Sequence, residues 1–379
     1  MTSSPRAWTF TSRGSPHDVL SLNPSAIPSL PPLPLPRNSS PTEEWLLLKT
    51  RYVSLNPGSL YMMGLIPAWV RAATAVPESD LSAVVEDVWT PSPASPGGAQ
   101  PAFKKGDRAA AFIPGSYSIP NGIGALSTHL ALPARYCVPI PDAASDQDAA
   151  GVTLAACTAW QLLDLATVKK GDRVLVNGAS GGIGTFAVQM ARNMVGSEGY
   201  VAGICSGRNG GLVKSLGSDE VVDYTLYEDL PEYLKQKHGK QPFNAIVDTV
   251  GKQHLYKHCA DYLVEGGIYA ATKVETSDYG ILAFIPALLT MKANEYWPLS
   301  KWLGGTGREW RSAAMLDPSS ELKEEMLGMV AKGEIKVVVD SVWDMESVLK
   351  GYEILRSGRA RGKILVHIGG DAPSGESNS

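Results

Sequence analysis

The chain has 379 residues, which is enough for about two domains with sizeable hydrophobic cores. Hydrophobic residues make up 44% of it, charged residues 19%, and the formal net charge is −4. This composition is typical of a globular protein. Because no face of clustered Lys and Arg is evident, it argues against a nucleic-acid partner.

The cysteines are far apart and contain no Cys-x-x-Cys pair, which argues against a zinc ribbon or a disulfide framework and favours a reducing compartment. Residues 1–13 lack the apolar core of a signal peptide. The longest strongly apolar run, Ile281–Met291, is too short to span a bilayer and contains Pro286. We therefore expect a cytoplasmic protein without a membrane partner.

Residues 1–146 are predicted to be rich in β-strands. Short alternating or apolar runs, split by Pro, Gly and Asn, predict strands at Ala7–Thr11, Asp18–Leu22, Glu44–Leu55 and Ala109–Ile113. Between them, Ile27–Pro36 is dense in proline and is interpreted as an extended connector. A second Pro/Gly/Ser loop covers Trp89–Gly98.

From Ala149 onward the pattern changes to alternating helices and strands. Ala149–Leu165 has a helical period. The strands that follow are predicted at Arg173–Val176, Tyr200–Cys205, Glu220–Asp223, Ala245–Val250 and Gly267–Ala271. The intervening helices are predicted at Thr185–Met194, Gly210–Leu216, Leu230–His238 and His254–Leu263. Such alternation predicts a parallel sheet with helices on both faces.

The glycine-rich turn that follows the first of these strands is the main indication of a binding site. In Asn177–Gly184 the order strand, tight turn, helix is that of a dinucleotide-binding fingerprint. Gly181 would let the backbone approach a pyrophosphate, Gly184 would let the helix pack tightly on the strand, and the helix N-terminus favours phosphate. A plain strand-to-helix turn is the alternative interpretation.

The end of the second strand bears on the choice of cofactor. NAD-preferring sites place an acid about 20 residues after the glycines, but Tyr200–Cys205 is followed by Ser206, Gly207 and Arg208. Ser206 can donate to a 2′-phosphate and Arg208 can pair with its charge, and the Tyr224 hydroxyl follows the third strand. These residues favour NADPH over NADH, unless Arg208 is only a solvated loop charge.

After Ala271 the pattern is less regular. Ile281–Met291 is predicted to form a helix beside a cleft. The aromatic residues that follow could pack locally or form a wall of the substrate site; they are Tyr296, Trp297, Trp302 and Trp310. The tail is predicted to alternate between helix and strand, at Ser320–Ala331, Lys336–Val342, Met345–Arg356 and Gly362–Ile368. Asp371–Ser379 is a polar end.

Several motifs together resemble one family. They are Asn56-Pro57, Lys105–Arg108, Thr158–Trp160, Lys170–Val174, Gly178–Gly184, Leu216–Tyr224, Asp248–Gly251, Glu265–Gly267 and Ala360–Lys363. With them the chain resembles, over nearly its whole length, the quinone oxidoreductase and enoyl reductase branch of the medium-chain dehydrogenase/reductase superfamily. The resemblance implies an α/β fold in which a doubly wound Rossmann domain lies beside a GroES-like β-rich domain.

The resemblance also implies domain boundaries and site residues. The catalytic domain would comprise residues 1–146 and return at 309–379, around an NADPH-binding domain at 147–308. The cofactor-binding residues would be Thr158, Ser180, Gly181, Gly182, Ile183, Gly184, Ser206, Arg208, Tyr224, Thr249, Val250 and Thr272. Tyr61, Asn56 and Ser59 are the catalytic candidates, with Tyr61 the preferred proton donor. Gly362 and Lys363 either approach the cofactor or serve only as strand residues.

The chain departs from the family pattern at two places. Zinc-dependent members carry a catalytic Cys and a Gly-His-Glu stretch, but residues 56–59 contain no Cys and residues 76–80 contain no His. We therefore expect no metal, because zinc needs several convergent ligands. The family's Gly-x-Asp-x-x-Gly is replaced by Glu78–Ala83, with Glu78 at the first glycine.

The expected function is hydride transfer from NADPH to an activated C=C bond or a quinone. Such a protein would act on a small-molecule substrate, and a stand-alone enoyl reductase that serves a biosynthetic enzyme is one version of it. The alternative is a structural or sensing protein that binds NADPH without turnover, suggested by the altered motif at Glu78–Ala83. The resemblance leaves both a homodimer and a partner enzyme open.

Overall fold

A computed structural model describes residues 4–91, 102–276, 278–296, 302, 304–313 and 317–369. Trp297, the polar end from Asp371 and most of the loop expected at Trp89–Gly98 lie outside these residues. Among the helices of the described part, none is long and apolar enough to cross a membrane.

The strands are short except for two in the β-rich part. They are β1 (Arg6–Thr9), β2 (Ser21–Pro24), β3 (Trp45–Leu55), β4 (Asp80–Trp89), β5 (Arg108–Phe112), β6 (His129–Pro133), β7 (Cys137–Pro139), β8 (Arg173–Asn177), β9 (Tyr200–Cys205), β10 (Glu220–Asp223), β11 (Phe243–Asp248), β12 (Leu263–Ala271), β13 (Glu309–Ser312), β14 (Val339–Asp344) and β15 (Lys363–His367).

The helices are concentrated in the second half of the chain. They are α1 (Pro16–Val19), α2 (Pro57–Leu65), α3 (Gly115–Asn121), α4 (Asp146–Ala150), α5 (Ala155–Leu165), α6 (Gly182–Val195), α7 (Gly210–Ser215), α8 (Leu230–His238), α9 (Gln253–His258), α10 (Ile281–Tyr296), α11 (Ser320–Ala331) and α12 (Val348–Ser357).

The six-stranded sheet has the order β10-β9-β8-β11-β12-β13, and every pair in it is parallel. Its central strand alternates between two cores: Val174 and Val176 face one layer of helices, and Leu175 faces the other. The order of connections reverses between β8 and β11. In such sheets this is where a crevice opens at the carboxyl ends of the strands. The predicted doubly wound parallel sheet is therefore confirmed.

The second large sheet is β-rich and is assembled from distant parts of the chain. Its order is β14-β15-β3-β4-β5-β7, with β6 paired to β3. The last strand, β15, pairs antiparallel with β3, so that Val366 lies opposite Val53. The C-terminal segment thus completes the domain that the N-terminal segment begins, which is the expected two-domain arrangement.

The parallel sheet extends past residue 308, where the return to the first domain was expected. β13 pairs with β12, and Trp310 is 3% exposed with its ring stacked on Tyr269 at 5.1 Å. Met326 and Leu327 of α11 also pack in the core of this domain. The chain rejoins the β-rich sheet only at β14. Of the four aromatic residues expected in the loop, Trp310 therefore packs locally.

Other differences from the expected elements have local causes. Asp18–Leu22 divides between α1, with Pro16 in its first turn, and β2. The expected helix Ala149–Leu165 is two helices, α4 and α5, separated by residues 151–154. The α-helix expected at His254–Leu263 ends at His258, a 3₁₀ turn follows at Cys259–Asp261, and Leu263 begins β12. The expected strand at Lys336 begins three residues later, at Val339.

Candidate active site

The glycine-rich turn connects β8 to α6 at the centre of the parallel sheet. Gly181 precedes the first residue of α6 in an extended conformation, and its N–H donates to the Gly178 carbonyl oxygen at 2.9 Å. A Cβ atom on Gly184 would lie 2.0 Å from that same oxygen, whereas the nearest atom to a Cβ on Gly181 would be 3.3 Å away. Gly184 is thus required for packing, and Gly181 leaves room for a ligand. The first N–H groups of α6, from Gly182 and Ile183, suit an anion.

The floor of the crevice is formed where β8, β11 and β12 end. A Cβ on Gly178, whose φ is +75°, would lie 2.4 Å from Thr249 Oγ1 and 2.8 Å from Val250 Cγ2. The Thr249 hydroxyl donates to the Asn177 carbonyl at 2.9 Å, and the Thr272 hydroxyl donates to the Thr249 carbonyl at 3.3 Å. Three residues expected at the nicotinamide side are therefore close together at this edge.

A buried carboxylate holds this floor in place. Asp248 accepts hydrogen bonds from the Asn177 amide (2.8 Å), the Tyr269 hydroxyl (2.6 Å) and the backbone N–H groups of Val250, Gly251 and Lys252. Its side chain is fully buried, but five donors satisfy it. Asp248 opens the Asp248–Gly251 motif, but its structural role depends on Asn177 and Tyr269, which only the fold brings next to it.

The expected adenosine side lies at the turn after β9. Ser206 precedes the turn, and Arg208 is exposed, with its Nη2 donating to the Arg359 carbonyl at 3.3 Å. Tyr224 follows β10 with 52% of its surface exposed. Asp223, the residue before Tyr224, also lies close to the turn after β9: its Oδ2 would be 2.2 Å from a Cβ atom on Gly207. Hydrogen bonds from the Thr225 hydroxyl and N–H lower the pKa of Asp223.

Asn209 was missed by sequence reasoning. It is buried, and its amide donates to the Ser180 hydroxyl at 2.9 Å. Its Oδ1 has no hydrogen-bond partner within the described residues. A buried acceptor without a donor beside a phosphate-type loop fits a crevice that a polar ligand completes.

Thr158 lies on α5, in the helical layer. Its side chain is buried, and its hydroxyl donates back to the Leu154 carbonyl at 2.7 Å. This local bond is common for threonine in helices and leaves the hydroxyl oxygen as an acceptor.

The last strand closes one side of the crevice. Gly362 forms a parallel bridge with Gly181, and its N–H donates to the Ser180 carbonyl at 2.9 Å. Lys363 Cδ would lie 3.2 Å from a Cβ on Gly182. The C-terminal strand of the β-rich domain is therefore in contact with the glycine-rich turn of the other domain.

From there Lys363 reaches a group of polar side chains, which we call the buried ion cluster: Asn56, Glu78, Asp80, Thr153 and Lys363. The Lys363 ammonium donates to Asn56 Oδ1 at 2.7 Å and lies 3.9 Å from Asp80 Oδ2. Asn56 Nδ2 donates to Asp80 at 3.2 Å, and the Thr153 hydroxyl donates to it at 2.7 Å. Both polar atoms of the Asn56 side chain thus have partners within the protein.

The cluster holds two acids and one base away from solvent. Burial raises the pKa of Asp80 and lowers the pKa of Lys363, and their mutual attraction opposes both shifts. Burial also raises the pKa of Glu78, to about 8, although hydrogen bonds from Tyr352 and Ser59 oppose it. When Lys363 is charged, the cluster is neutral only if one of the two acids is protonated.

Of the three catalytic candidates, Tyr61 has a setting suited to proton donation. Its hydroxyl lies 2.8 Å from Thr276 Oγ1, on the segment that follows the crevice floor. The Lys273 ammonium lies 5.6 Å from its ring centroid, and the Tyr279 ring packs edge-on at 4.9 Å. Ser59 instead accepts a hydrogen bond from the Glu78 N–H at 3.2 Å, and both it and Asn56 are buried.

The available donors do not fit a zinc ion. Among the described residues there is no group of three or more His, Cys, Asp or Glu side chains that could hold a metal. The acids of the buried ion cluster already face the ammonium of Lys363. Burial raises the pKa of the Cys137 and Cys157 thiols to about 12 and that of Cys205 to about 11.

Sequence comparison gives a matching family model and several similar proteins. A family model described as zinc-binding dehydrogenase matches residues 216–366. The trans-enoyl reductase poxH of Penicillium oxalicum is 31% identical over 97% of this chain and 98% of its own length. The medium chain reductase pydE of an Acremonium species is 32% identical over 97% and 100%.

Solved structures show the same fold. The quinone oxidoreductase of Coxiella burnetii superposes with a TM-score of 0.72 at 20% identity, over 97% of this chain and 100% of that one. A mycobacterial protein in complex with NADPH superposes with a TM-score of 0.71 at 21% identity, over 96% and 100%.

Proposed function

Because the chain belongs to the medium-chain dehydrogenase/reductase superfamily, and is thus an oxidoreductase of that type, we propose that it is an NADPH-dependent, metal-independent reductase of activated C=C bonds. The substrate is an enone or an enoyl thioester, and the site acts as a stand-alone enoyl reductase. The observation that carries this proposal is the crevice in which Gly181, Gly182 and Gly362 meet the open end of α6. Two relatives whose names contain enoyl reductase support the reaction class.

The residues at the crevice fit a nicotinamide cofactor, which supplies a hydride when bound. The α6 N-terminus and the bare backbone at Gly181 would hold the diphosphate. Arg208 and Ser206 would read the 2′-phosphate, and Asn209 Oδ1 offers an acceptor to the sugar. Asp223 is the local feature that would favour NADH, but its Oδ1 already accepts two hydrogen bonds from Thr225.

Tyr61 is the proton donor of the proposed reaction. Hydride addition to Cβ of an enone or enoyl thioester leaves an enolate that needs hydrogen bonding at oxygen and a proton at carbon. The phenol lies beside Thr276 and the Lys273 ammonium, at the mouth of the crevice.

Zinc has no part in the proposed mechanism. The family model's description names zinc, but the described residues lack a suitable set of three or more ligands. The Lys363 side chain passes Gly182 of the glycine-rich turn with its Cδ, and its terminal nitrogen donates to Asn56 Oδ1 in the buried ion cluster. We infer that placement and hydrogen bonding drive the reaction.

A non-catalytic NADPH-binding protein is the second candidate. It is favoured by Glu78, which replaces the first glycine of the family's Gly-x-Asp-x-x-Gly and fills the interior beside Asn56. On this interpretation the cofactor would bind and remain unreacted.

Steady-state oxidation of NADPH with a panel of enones, enoyl thioesters and quinones separates the candidates. We expect turnover with at least one enoyl thioester or enone, and Tyr61→Phe should lower kcat by about 10²-fold or more, the typical contribution of a general acid. Tight NADPH binding without turnover on any acceptor would favour the second candidate. Turnover with quinones alone would correct the substrate class.

A further inference from the structure

Glu78 has a backbone conformation that is costly for its residue type. Its φ is +70°, in the left-handed region where a glycine is free of strain and other residues are not. It stands at the first position of the sequence that replaces Gly-x-Asp-x-x-Gly. A side chain kept at such a position, fully buried, indicates that the carboxyl group contributes something that a glycine could not.

The Glu78 residue connects two separate elements, the start of α2 and α12. One oxygen accepts the backbone N–H of Asn56, where α2 begins, at 3.1 Å. The other accepts the hydroxyl of Tyr352, on α12, at 2.7 Å. The Glu78 N–H donates to Ser59 Oγ, in the first turn of α2, at 3.2 Å. The start of α2 is therefore bound to α12 through this single residue.

The charged and titratable groups that face Glu78 come from three directions. Lys363 on β15 attracts a negative charge there, and the Tyr352 phenol on α12 donates to it. Asp80, two residues further along on β4, shares the same lysine. Since Lys363 can balance only one of the two acids, ionising Glu78 would leave a net negative charge in the buried ion cluster.

α2 connects this anchor to the cleft. It runs from Pro57 to Leu65 and carries Tyr61, whose hydroxyl meets Thr276 of the other domain. Near the end of the helix, the backbone carbonyl of Tyr279 packs closely against Gly64: a Cβ atom on Gly64 would lie 2.3 Å from the Tyr279 carbonyl oxygen. A movement of the start of α2 would therefore move Tyr61 relative to Thr276.

We propose that Glu78 is a positioning residue of the cleft: its carboxyl group fastens the start of α2 to α12 and so holds the Tyr61 hydroxyl against Thr276. The inference rests on the proposed function, in which Tyr61 donates the proton. Glu78 itself touches neither substrate nor cofactor. It acts through the Asn56 N–H and the Tyr352 hydroxyl, which would both lose a buried acceptor if the carboxyl group were absent.

The decisive variant is Glu78→Gly, because glycine relieves the backbone and removes only the anchor. We expect kcat to fall at least tenfold while the Kd for NADPH stays within about twofold of wild type, because the variant would displace Tyr61 and leave the cofactor-binding residues in place. Glu78→Gln keeps an acceptor oxygen and cannot ionise. It should retain kcat at pH 7, and its kcat should lack any change with pH that the ionisation of Glu78 causes in the wild type above about pH 8.

Thr167→Gly is the matched control. Thr167 is also a non-glycine residue with positive φ, at +54°, but it is exposed at the end of α5. Its replacement should leave kcat and its pH profile unchanged. Tyr352→Phe removes one of the two donors to Glu78 and should lower kcat by less than Glu78→Gly does.

Crystal structures of the wild type and of Glu78→Gly separate this inference from the proposed function. We expect the Tyr61 hydroxyl to leave Thr276 in the variant. If α2 and Tyr61 do not move, the inference is overturned whether or not the protein turns over any substrate. If Tyr61 moves and the wild type is inactive with every acceptor, the positioning role stands and the proposed reaction fails. Unchanged kcat in Glu78→Gly with an active wild type also overturns the inference.

Discussion

The glycine-rich turn at residues 177–184 and the buried ion cluster are joined by Lys363, which packs against Gly182 and donates to Asn56, and the two regions are built in contrasting ways. The turn is made of backbone: Gly178, Gly181 and Gly184 matter for the space that they leave. The cluster is made of side chains, and its members Asn56, Thr153 and Lys363 come from distant parts of the chain. The first region is specified locally and the second by the completed fold.

This contrast implies different responses to mutation. A change in the turn should affect the ligand first, because its outer surface faces the crevice. A change in the cluster should affect stability first, because its charges are removed from water and depend on one another. The variants below test the contrast, in order of decreasing expected effect.

The largest effect is expected for Lys363→Met. The replacement leaves Asp80 without its ion-pair partner and the side-chain oxygen Oδ1 of Asn56 without its donor. Breaking a buried ion pair typically costs about 3–5 kcal/mol. Denaturant titration at pH 7 measures the loss in the free energy of unfolding. Lys170→Met is the control, since that lysine side chain is 75% exposed and its ion pair lies at the surface. Equal stability of the two variants would contradict the account of the cluster.

Gly184→Val should weaken ligand binding by displacing the turn. Its Cβ would be 2.0 Å from the Gly178 carbonyl oxygen, so the turn must shift, at a cost of about 1–3 kcal/mol, as in other overpacked sites. We expect NADPH affinity, measured by calorimetry, to fall by about 100-fold, which is close to 3 kcal/mol. Gly328→Ala on α11, where a Cβ meets nothing within 4 Å, serves as the control and should bind normally. Undiminished affinity in Gly184→Val would place the cofactor elsewhere.

Arg208→Ala removes a side chain from the proposed cofactor site, which is otherwise formed mainly by backbone groups. A lost charge-assisted contact to the 2′-phosphate costs about 1–3 kcal/mol. NADPH affinity should therefore fall about 10-fold or more, while NADH affinity stays constant. Arg13→Ala, an exposed arginine near the N-terminus, should change neither. If Arg208→Ala binds both cofactors as the wild type does, the assignment of the phosphate to Arg208 is wrong.

The sequence predicted the backbone-built half well. β9, β10, α8 and α11 have the bounds expected from hydrophobic periodicity, and the turn lies between the expected strand and helix. Thr249, Val250 and Thr272 were placed near the cofactor by the family resemblance, and in the structure they lie beside the turn, where the parallel strands end. Asn209 was missed, since no spacing rule links a residue after β9 to the Ser180 hydroxyl that it contacts.

The buried ion cluster was not predicted. Asn56 and Ser59 were expected to face the substrate, and the structure places both in the interior, where their polar atoms bind Lys363, Asp80 and Glu78. Asn56 and Lys363 are 307 positions apart in the chain. Local patterns cannot reveal which buried charge is matched to which at that separation. The sequence also did not show that β13 extends the parallel sheet, so that the chain returns to the β-rich sheet only at β14. Strand pairing of this kind depends on tertiary contacts.

One measurement tests the central claim directly: reduction of an enoyl thioester by NADPH that carries deuterium at both C4 positions, with protein that a chelator has stripped of metal. We predict an undiminished rate after chelation and one deuterium per product molecule on the carbon β to the carbonyl. An activity that disappears with the chelator and returns with zinc would contradict the account, as would a product that carries no deuterium from the cofactor.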